Sequence, residues 1–359
     1  MTATEQPDDD VTAMLRDSLR GFLDEHWRPR GAMASSSPDE ISAIWRKLVG
    51  QGVAALGAQG DEGGLAEILV VMAELGRAGC PAPMWSAALA NLAISGSQSD
   101  VVTDLLARLH SGKAIVAFSF GALDPDRGTG SIEVAINAAT GVLRCVEAAG
   151  SATHLLVALD RAHLALIELG RPGVECVATR AMGAWGLYEI RLNAAPLTRI
   201  AGGGVDLDEL RIKGKAMLTA RAYGAARRAF ELAVDYARER HQFGQPIGKF
   251  QAIQHKLANC LIALEGVRLI LDHTARLHDG GDADWRYFAD CASAFSGSAL
   301  RQVALETQHT FGAIGYAEEH EAPIHFKRVH LDTIALGGAS DAKRRLAARL
   351  LDAGGAGLD

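Results

Sequence analysis

Arg240, Phe243, Gly244 and Gln251 fall within YARERHQFGQPIGKFQAIQHKLA (Tyr236 to Ala258). They set a cation, an aromatic-glycine turn and a carboxamide at spacings suited to gripping an extended cofactor. An arginine offers a planar, always-charged donor fork to a diphosphate, and unpaired N–H groups at a helix start favour the same negative charge. These residues need an exposed elbow to stand on. An Ala-rich helical run from Ile212 to Arg240 is broken by Phe243-Gly244 and Gln245-Pro246, and the next helix opens near Phe250. The cofactor such an elbow points to is a flavin. The plain alternative is a helical hairpin whose arginine is merely solvated.

The elements around this elbow belong to a large chain. With 359 residues and 48% apolar content it exceeds one ordinary core, which predicts two or three packed domains. A net charge of −7 offers no basic field for nucleic acid, and no apolar run has the length or purity of a membrane span. The acidic start MTATEQPDDD lacks the pattern of an export signal, so a cytoplasmic protein is expected. Cys80, Cys145, Cys176, Cys260 and Cys291 are scattered and odd in number, with no C-x-x-C spacing. They predict neither a zinc site nor a disulfide framework, and buried thiols are the default expectation.

Val11, Met14, Leu15, Leu19, Phe22 and Leu23 recur at helical spacing. Ser37-Pro38-Asp39-Glu40 opens a second helix with a capping serine, Pro at the first position and Glu three residues on, ahead of Ile41, Ile44, Trp45 and Leu48. A third helix is expected from about Leu65 to Leu75. From Lys113 short β-prone runs alternate with turns: Ala114–Phe118, Ile132–Ile136, Val142–Val146, Leu155–Leu159, Leu164–Ile167 and Tyr188–Leu192. From Val205 the helical pattern returns, and Ile253, Leu257, Leu261, Leu264, Val267 and Leu271 mark one apolar face suited to a bundle core. The expected organisation is a helical domain over 1–112, a small β domain over 113–204 and a helical domain over 205–359.

From Arg240 the sequence R-x-Q-F-G-x-P-I-x-x-F-Q-x-x-Q-H-x-L-A closely resembles the signature of the acyl-CoA dehydrogenase family. The resemblance implies an α+β multidomain fold: an N-terminal helical domain, a middle β-barrel-like domain and a C-terminal four-helix bundle that builds the oligomer. It implies FAD, bound mainly in a neighbouring subunit and contacted by Arg240, Gln242, Phe243 and Gln251. AEILVVMAELGRAGCPAPMW (Ala66 to Trp85) is similar to the family's helix ending E-L-G-R before a proline-bearing loop. QHTFGAIGYAEEHEAPIHFKR (Gln308 to Arg328) resembles its Q-x-x-G-G-x-G-Y loop, which meets the adenosine end of the neighbour's FAD. Aligned on Gly312 and Gly315, His309 stands where the family has Gln and Ala313 where it has the second Gly. Without that context His309 would be a surface or capping histidine.

The family's chemistry is α,β-dehydrogenation of an acyl-CoA thioester, in which a carboxylate removes the α proton from a substrate polarised by hydrogen bonds. The family carries its Glu in the helix before the flavin motif or in the loop ahead of the last helix. By alignment these positions are Gly214, within RIKGKAML, and Gly337, within Leu336-Gly337-Gly338-Ala339 where members show Y-E-G-T. Glu209 and Asp332 are the acids nearest to them and read as solvated residues, and Asp208 or Glu209 equally suits the N-terminal end of the following helix. The flavin-facing T-E-P-x-A-G-S-D strand is replaced by AFSFGALDPDRG (Ala117 to Gly128), where Ser119 and Gly121 are left to contact a flavin ring. No Trp-Ile pair follows. Ala339 and Asp341 replace polar residues beyond the family's Glu.

The features lost would serve this chain's own pocket, and those kept reach towards a neighbour. The expectation is a subunit of a heteromeric, heterotetrameric acyl-CoA dehydrogenase whose related partner chain supplies the Glu. Such enzymes of actinobacteria act on CoA thioesters of steroid fragments, and Glu318 to Arg328 looks like that branch. The implied partners are that second subunit, an acyl-CoA substrate and an electron-transfer acceptor. The alternatives are a homo-oligomeric flavoprotein of monooxygenase type, which needs no Glu, and a flavin-free scaffolding paralogue.

Overall fold

A computed structural model describes residues 7–29, 36–60, 63–121, 130–179, 186–201, 206–317 and 319–355. The chain divides into two compact units. Met1–Ala34, Leu65–Cys80 and Lys215–Asp359 form the first, and Ser35–Gly64 with Pro81–Gly214 form the second.

In the second unit, helix α2 (Pro38–Val49) starts as expected: the Glu40 N–H donates to Ser37 Oγ at 3.2 Å, and the Ser37 N–H donates to the Glu40 carboxylate at 2.9 Å. Ile41, Ile44, Trp45 and Leu48 are buried along one face. Two further helices, α4 (Met84–Ile94) and α5 (Asp100–His110), were not legible as elements. The strands make two four-stranded open sheets. One orders β1 (Val116–Ser119), β4 (His154–Ala158), β5 (His163–Glu168) and β8 (Thr198–Ala201), with β1 and β4 parallel. The other is antiparallel and orders β2 (Gly130–Val134), β3 (Ala138–Glu147), β7 (Leu187–Pro196) and β6 (Val174–Ala178). Leu155, Val157 and Ile167 from the first sheet share a core with Leu143, Ile190 and Leu192 from the second, so the sheets bury one face each against the other. The expected barrel-like β region takes this two-sheet form.

The first unit gathers α1 (Pro7–His26) and α3 (Leu65–Arg77) with the C-terminal helices α6 (Leu207–Glu239), α7 (Gln251–Asp279), α8 (Trp285–Phe311), α9 (Ala322–Ile334) and α10 (Gly338–Gly355). The start of α3 is capped from far along the chain, because the Asp279 carboxylate at the end of α7 accepts from the Leu65 and Ala66 N–H groups at 2.8 and 3.0 Å. The C-terminal half of α3 crosses α6 backbone to backbone. A Cβ on Gly76 would lie 1.9 Å from the Arg221 carbonyl oxygen, and one on Gly224 would lie 1.8 Å from that of Ala73. On α7, Leu264, Val267 and Leu271 are buried, but Leu261 is 39% exposed and Ile262 70%, so only part of its apolar stripe is covered by this chain. Among the described residues no helix is long and apolar enough to cross a membrane.

The expectation of buried cysteines holds for Cys80 and Cys260 only. Cys145 is exposed at an irregularity of β3 where its own φ is 58°, and Cys176 is exposed on β6, at the edge of its sheet. Composition cannot see such positions.

A half-buried cluster also joins α9 to α6. Glu321, just ahead of α9, meets His325 Nε2 at 2.9 Å and accepts two bonds from Arg228 at 2.8 and 3.0 Å. Burial pushes the Glu321 carboxyl up, but the bonds and charges of His325 and Arg228 outweigh it and hold it down at about 2.

Two outcomes follow. Gly224→Ala forces the α3–α6 backbones apart and should destabilise the first unit by about 3 kcal/mol, the upper range for overpacking, read as a fall in Tm. An unchanged Tm would refute the close crossing. For Glu321 the folded state holds the depressed value, so its contribution is complete above the ordinary carboxylate value of 4.5 and is lost as pH falls towards 2. Glu321→Gln should therefore lower stability at neutral pH and flatten the loss between those limits. Parallel acid-unfolding curves for the two proteins would contradict this.

Candidate functional site

Helix α6 ends at Glu239 and the chain folds through a small hairpin in which Gln242 pairs with Gln245 and His241 with Pro246. The two turn residues, Phe243 and Gly244, have φ of 51° and 79°. Both central positions are thus left-handed, as a tight hairpin turn of right-handed twist demands. Glycine meets that demand freely, but for Phe243 it costs on the order of 1–2 kcal/mol. The ring is also 92% exposed, edge-on to Phe250. A strained, uncovered aromatic marks a position kept for contact rather than for packing.

The Ile247 N–H closes the elbow on the Arg240 carbonyl at 2.8 Å. Arg240 and Gln242 are exposed, and Arg240 forms no ion pair among the described residues. Helix α7 begins directly after, with Gln251 exposed and with Phe250 providing no side-chain cap. An uncapped helix start beside an unneutralised guanidinium is the donor set a diphosphate would take, so the residues fit the cofactor expected there.

The second segment sits at the same end of the unit. Phe311, the last residue of α8, packs in one cluster with Ala233, Ala322, Tyr236 and Leu257, and its ring is 5.4 Å from that of Tyr236. Tyr236 lies one turn before Arg240 and Leu257 just after Gln251, so this cluster ties the elbow to the turn that follows α8. That turn, Gly312–Tyr316, starts at Gly312 with φ 62°. Gln308 is buried and its side-chain amide donates to the Gly315 carbonyl, closing the turn from inside. His309 and Ala313 are exposed on the outside, His309 Nδ1 being 4.0 Å from Glu306.

The places where a base is expected are of another kind. The Gly214 carbonyl accepts from Trp85 Nε1 at 3.0 Å. Gly337 has φ 82° between Leu336 at 51° and Gly338 at 51°, so three successive residues are left-handed. A Cβ on Gly338 would lie 2.4 Å from the Thr333 carbonyl oxygen.

Nor does a neighbouring acid stand free. Glu209 pairs with Lys213 at 3.1 Å and Asp208 with Arg161 at 3.0 Å. Asp332 is not solvated, as expected from sequence, but buried: Arg221 grips it at 2.8 Å through two bonds, and Arg328 adds another at 3.2 Å. Asp341 accepts from Lys215 Nζ at 2.6 Å and is also held by Arg344 and Arg345, the last of which pairs with Asp290. The partners were invisible in the sequence, where only a lysine and an arginine in an Ala-rich helix hint at them. Between α6, α8 and the turn after α9 remains a cavity of about 10 Å³, lined by Lys215, Thr219, Ser293, Ser296 and Asp332, which has room for one water at most.

In the second unit Ser119 is buried and its Oγ accepts from the Gly121 N–H at 3.1 Å. The rest of the expected flavin-facing segment, residues 122–129, lies outside the described residues, as does Glu318.

Residues 202–351 match the family model for the acyl-CoA dehydrogenase C-terminal domain. The chain is 29% identical over 344 residues to the acyl-CoA dehydrogenase IpdE2 of Mycobacterium tuberculosis, covering 93% of this chain and 95% of that one. In fold it resembles a variant of the Tcur3481-Tcur3483 steroid ACAD, with TM-score 0.81, 24% identity, and 96% and 99% of the two chains covered. It resembles likewise the ChsE4-ChsE5 complex of Mycobacterium tuberculosis, with TM-score 0.79, 23% identity, and 98% and 99% covered. The helical, β, helical order and these likenesses agree with the resemblance carried by the residues around Arg240, and residues 202–351 form an acyl-CoA dehydrogenase C-terminal domain.

Proposed function

We propose that this chain is a subunit of an FAD-dependent acyl-CoA dehydrogenase that completes the flavin site of a related partner chain, which supplies the catalytic carboxylate. One contrast carries the reading. Both base positions are glycine and the acids nearest them are locked in ion pairs, while the cofactor-facing elbow is exposed and unneutralised. The pairing of unlike chains in the ChsE4-ChsE5 complex supports the heteromeric arrangement, and the steroid ACAD of similar fold supports a bulky, steroid-derived CoA thioester as substrate.

In this arrangement Arg240 holds a diphosphate and the first N–H groups of α7 add to the same negative site. Phe243 shields the cofactor from water, and Gln242 and Gln251 offer carboxamides to its polar edges. The turn after α8 presents His309 at the family's Gln position, with Gly312 and Ala313 leaving the backbone close to the ligand. Bound FAD would accept the hydride leaving the β carbon. Asp332 is not available as the base, since a carboxylate held by two arginines cannot also take a proton from carbon.

The chain purified alone should be colourless and inactive, and co-expression with its partner should yield a yellow, active complex. In that complex Arg240→Ala should weaken FAD retention by about 10- to 100-fold, the worth of a charge-assisted hydrogen bond. A stoichiometric yellow homo-oligomer of this chain, or unchanged flavin content in the variant, would overturn the proposal. Gly337→Glu should not create dehydrogenase activity in the lone chain, because φ 82° disfavours any side chain there.

A further inference from the structure

None of the residues assigned above lines a cavity of about 650 Å³ in the first unit, walled by α1, α3, α6 and α7. Its size is that of sites that enclose small ligands. The floor is apolar and built of small residues at the α3–α6 crossing, Ala73, Ala220 and Gly224, with Leu69, Leu271 and Ala275 beside them.

The rim is charged, and its charges do not cancel. Arg20 holds Glu74 through bonds of 2.9 and 2.7 Å, and Arg77 holds Glu231 at 3.0 Å. Arg227 reaches Glu231 at 3.3 Å and Glu265 at 3.4 Å, while Arg268 takes Glu265 at 2.9 Å and Asp272 at 2.8 Å. Each of these four carboxylates thus has an arginine. Arg16 from α1 and Arg276 from α7 also line the cavity, and neither forms an ion pair among the described residues.

The two are brought to one region. Burial pushes the Asp272 carboxyl up, against the pull of Arg268, Arg16 and Arg276 together. Three guanidinium groups from two helices therefore act on a single carboxylate, and six arginines line the cavity against four carboxylates, a surplus of positive charge beside the apolar floor. Scattered surface ion pairs would give neither the enclosure nor the surplus. An anion entering here would meet two cations that pair with no carboxylate among the described residues, Arg16 half-buried on the wall and Arg276 exposed at the rim.

We propose that this cavity binds a small organic dianion, a phosphate monoester or a dicarboxylate. A phosphate, or one carboxylate of a dicarboxylate, would lie between Arg16 and Arg276, with the carbon skeleton next to it on the floor. Such a ligand would occupy a site separate from the flavin elbow, and its binding needs neither flavin nor activity.

The test is calorimetric titration of the full chain, alone and in its partner complex, with adenosine monophosphate, adipate, and adenosine as the uncharged control. Binding of the monophosphate or of adipate, with no binding of adenosine, is expected in at least one of the two forms. A response to only one dianion assigns the ligand to the phosphate or the carboxylate class. The double variant Arg16→Gln/Arg276→Gln should lower the affinity by at least about tenfold. Val70→Trp, which fills the cavity without altering its charge, should abolish binding and decides the matter should the double variant fail to fold. Absence of binding by both dianions in the millimolar range in both forms, or affinity unaffected by both variants, would overturn the proposal.

Discussion

The first unit depends on a contact that has no side chain in it. Where α3 crosses α6, Gly76 faces the Arg221 carbonyl and Gly224 faces that of Ala73, at distances that exclude even a methyl group. Helices normally meet through interlocking side chains 8–10 Å apart, and a backbone contact leaves much less freedom to slide or rotate. With α6 fixed in rotation, the side chain of Arg221 points at Asp332, Lys215 at Asp341, and the helix runs on to deliver Arg240 at its end. The same small residues leave the floor of the large cavity wide. One crossing thus sets the rotation of the helix from which every site in this unit is measured.

The charges along that helix are treated in opposite ways. Lys215 and Arg221 are buried and cancelled by aspartates, whereas Arg240 is exposed and has no counter-ion among the described residues. Buried pairs contribute little net stability, because desolvation offsets most of their attraction, yet removing one partner is costly. Their effect is conformational: Lys215 ties α6 both to Asp341 and, at 3.5 Å, to the Gly338 carbonyl in the turn after α9, where three consecutive residues are left-handed. Under the proposed function the partner chain supplies the base, so this region needs no carboxylate free to take a proton. Here the available acids are spent on structure.

What could be read from the sequence was what is local. The Ser37–Glu40 cap, the Ala-rich run of α6 and the elbow from Arg240 to Gln251 are each written in consecutive residues, and each lies where expected. Helix α4 escaped because almost every residue in it is buried, which removes the amphipathic period on which a reading depends. Strand β6 escaped for the converse reason, having a mostly exposed pattern without clear alternation. The ion pairs were illegible because their partners lie 111 and 126 residues apart. The arginine-lined cavity draws on four helices, none of which is unusual alone. The strain at Phe243 is a backbone fact that no residue list contains.

The cap on α3 also bears on how the chain is made. The first unit is drawn from three stretches of sequence, and the second unit lies wholly within the residues that precede Lys215. A ribosome therefore releases everything the second unit needs while α1 and α3, which pack on each other, still lack the C-terminal helices. The carboxylate that finishes α3 belongs to Asp279, 214 residues after Leu65. Until α6 and α7 have emerged, the buried faces of α3 stay in water and its first N–H groups stay unanswered, at a synthesis rate of about 5–20 residues per second. The interval in which this protein is most open to misassembly is thus written into its gene order, between the codons for α3 and those for the end of α7.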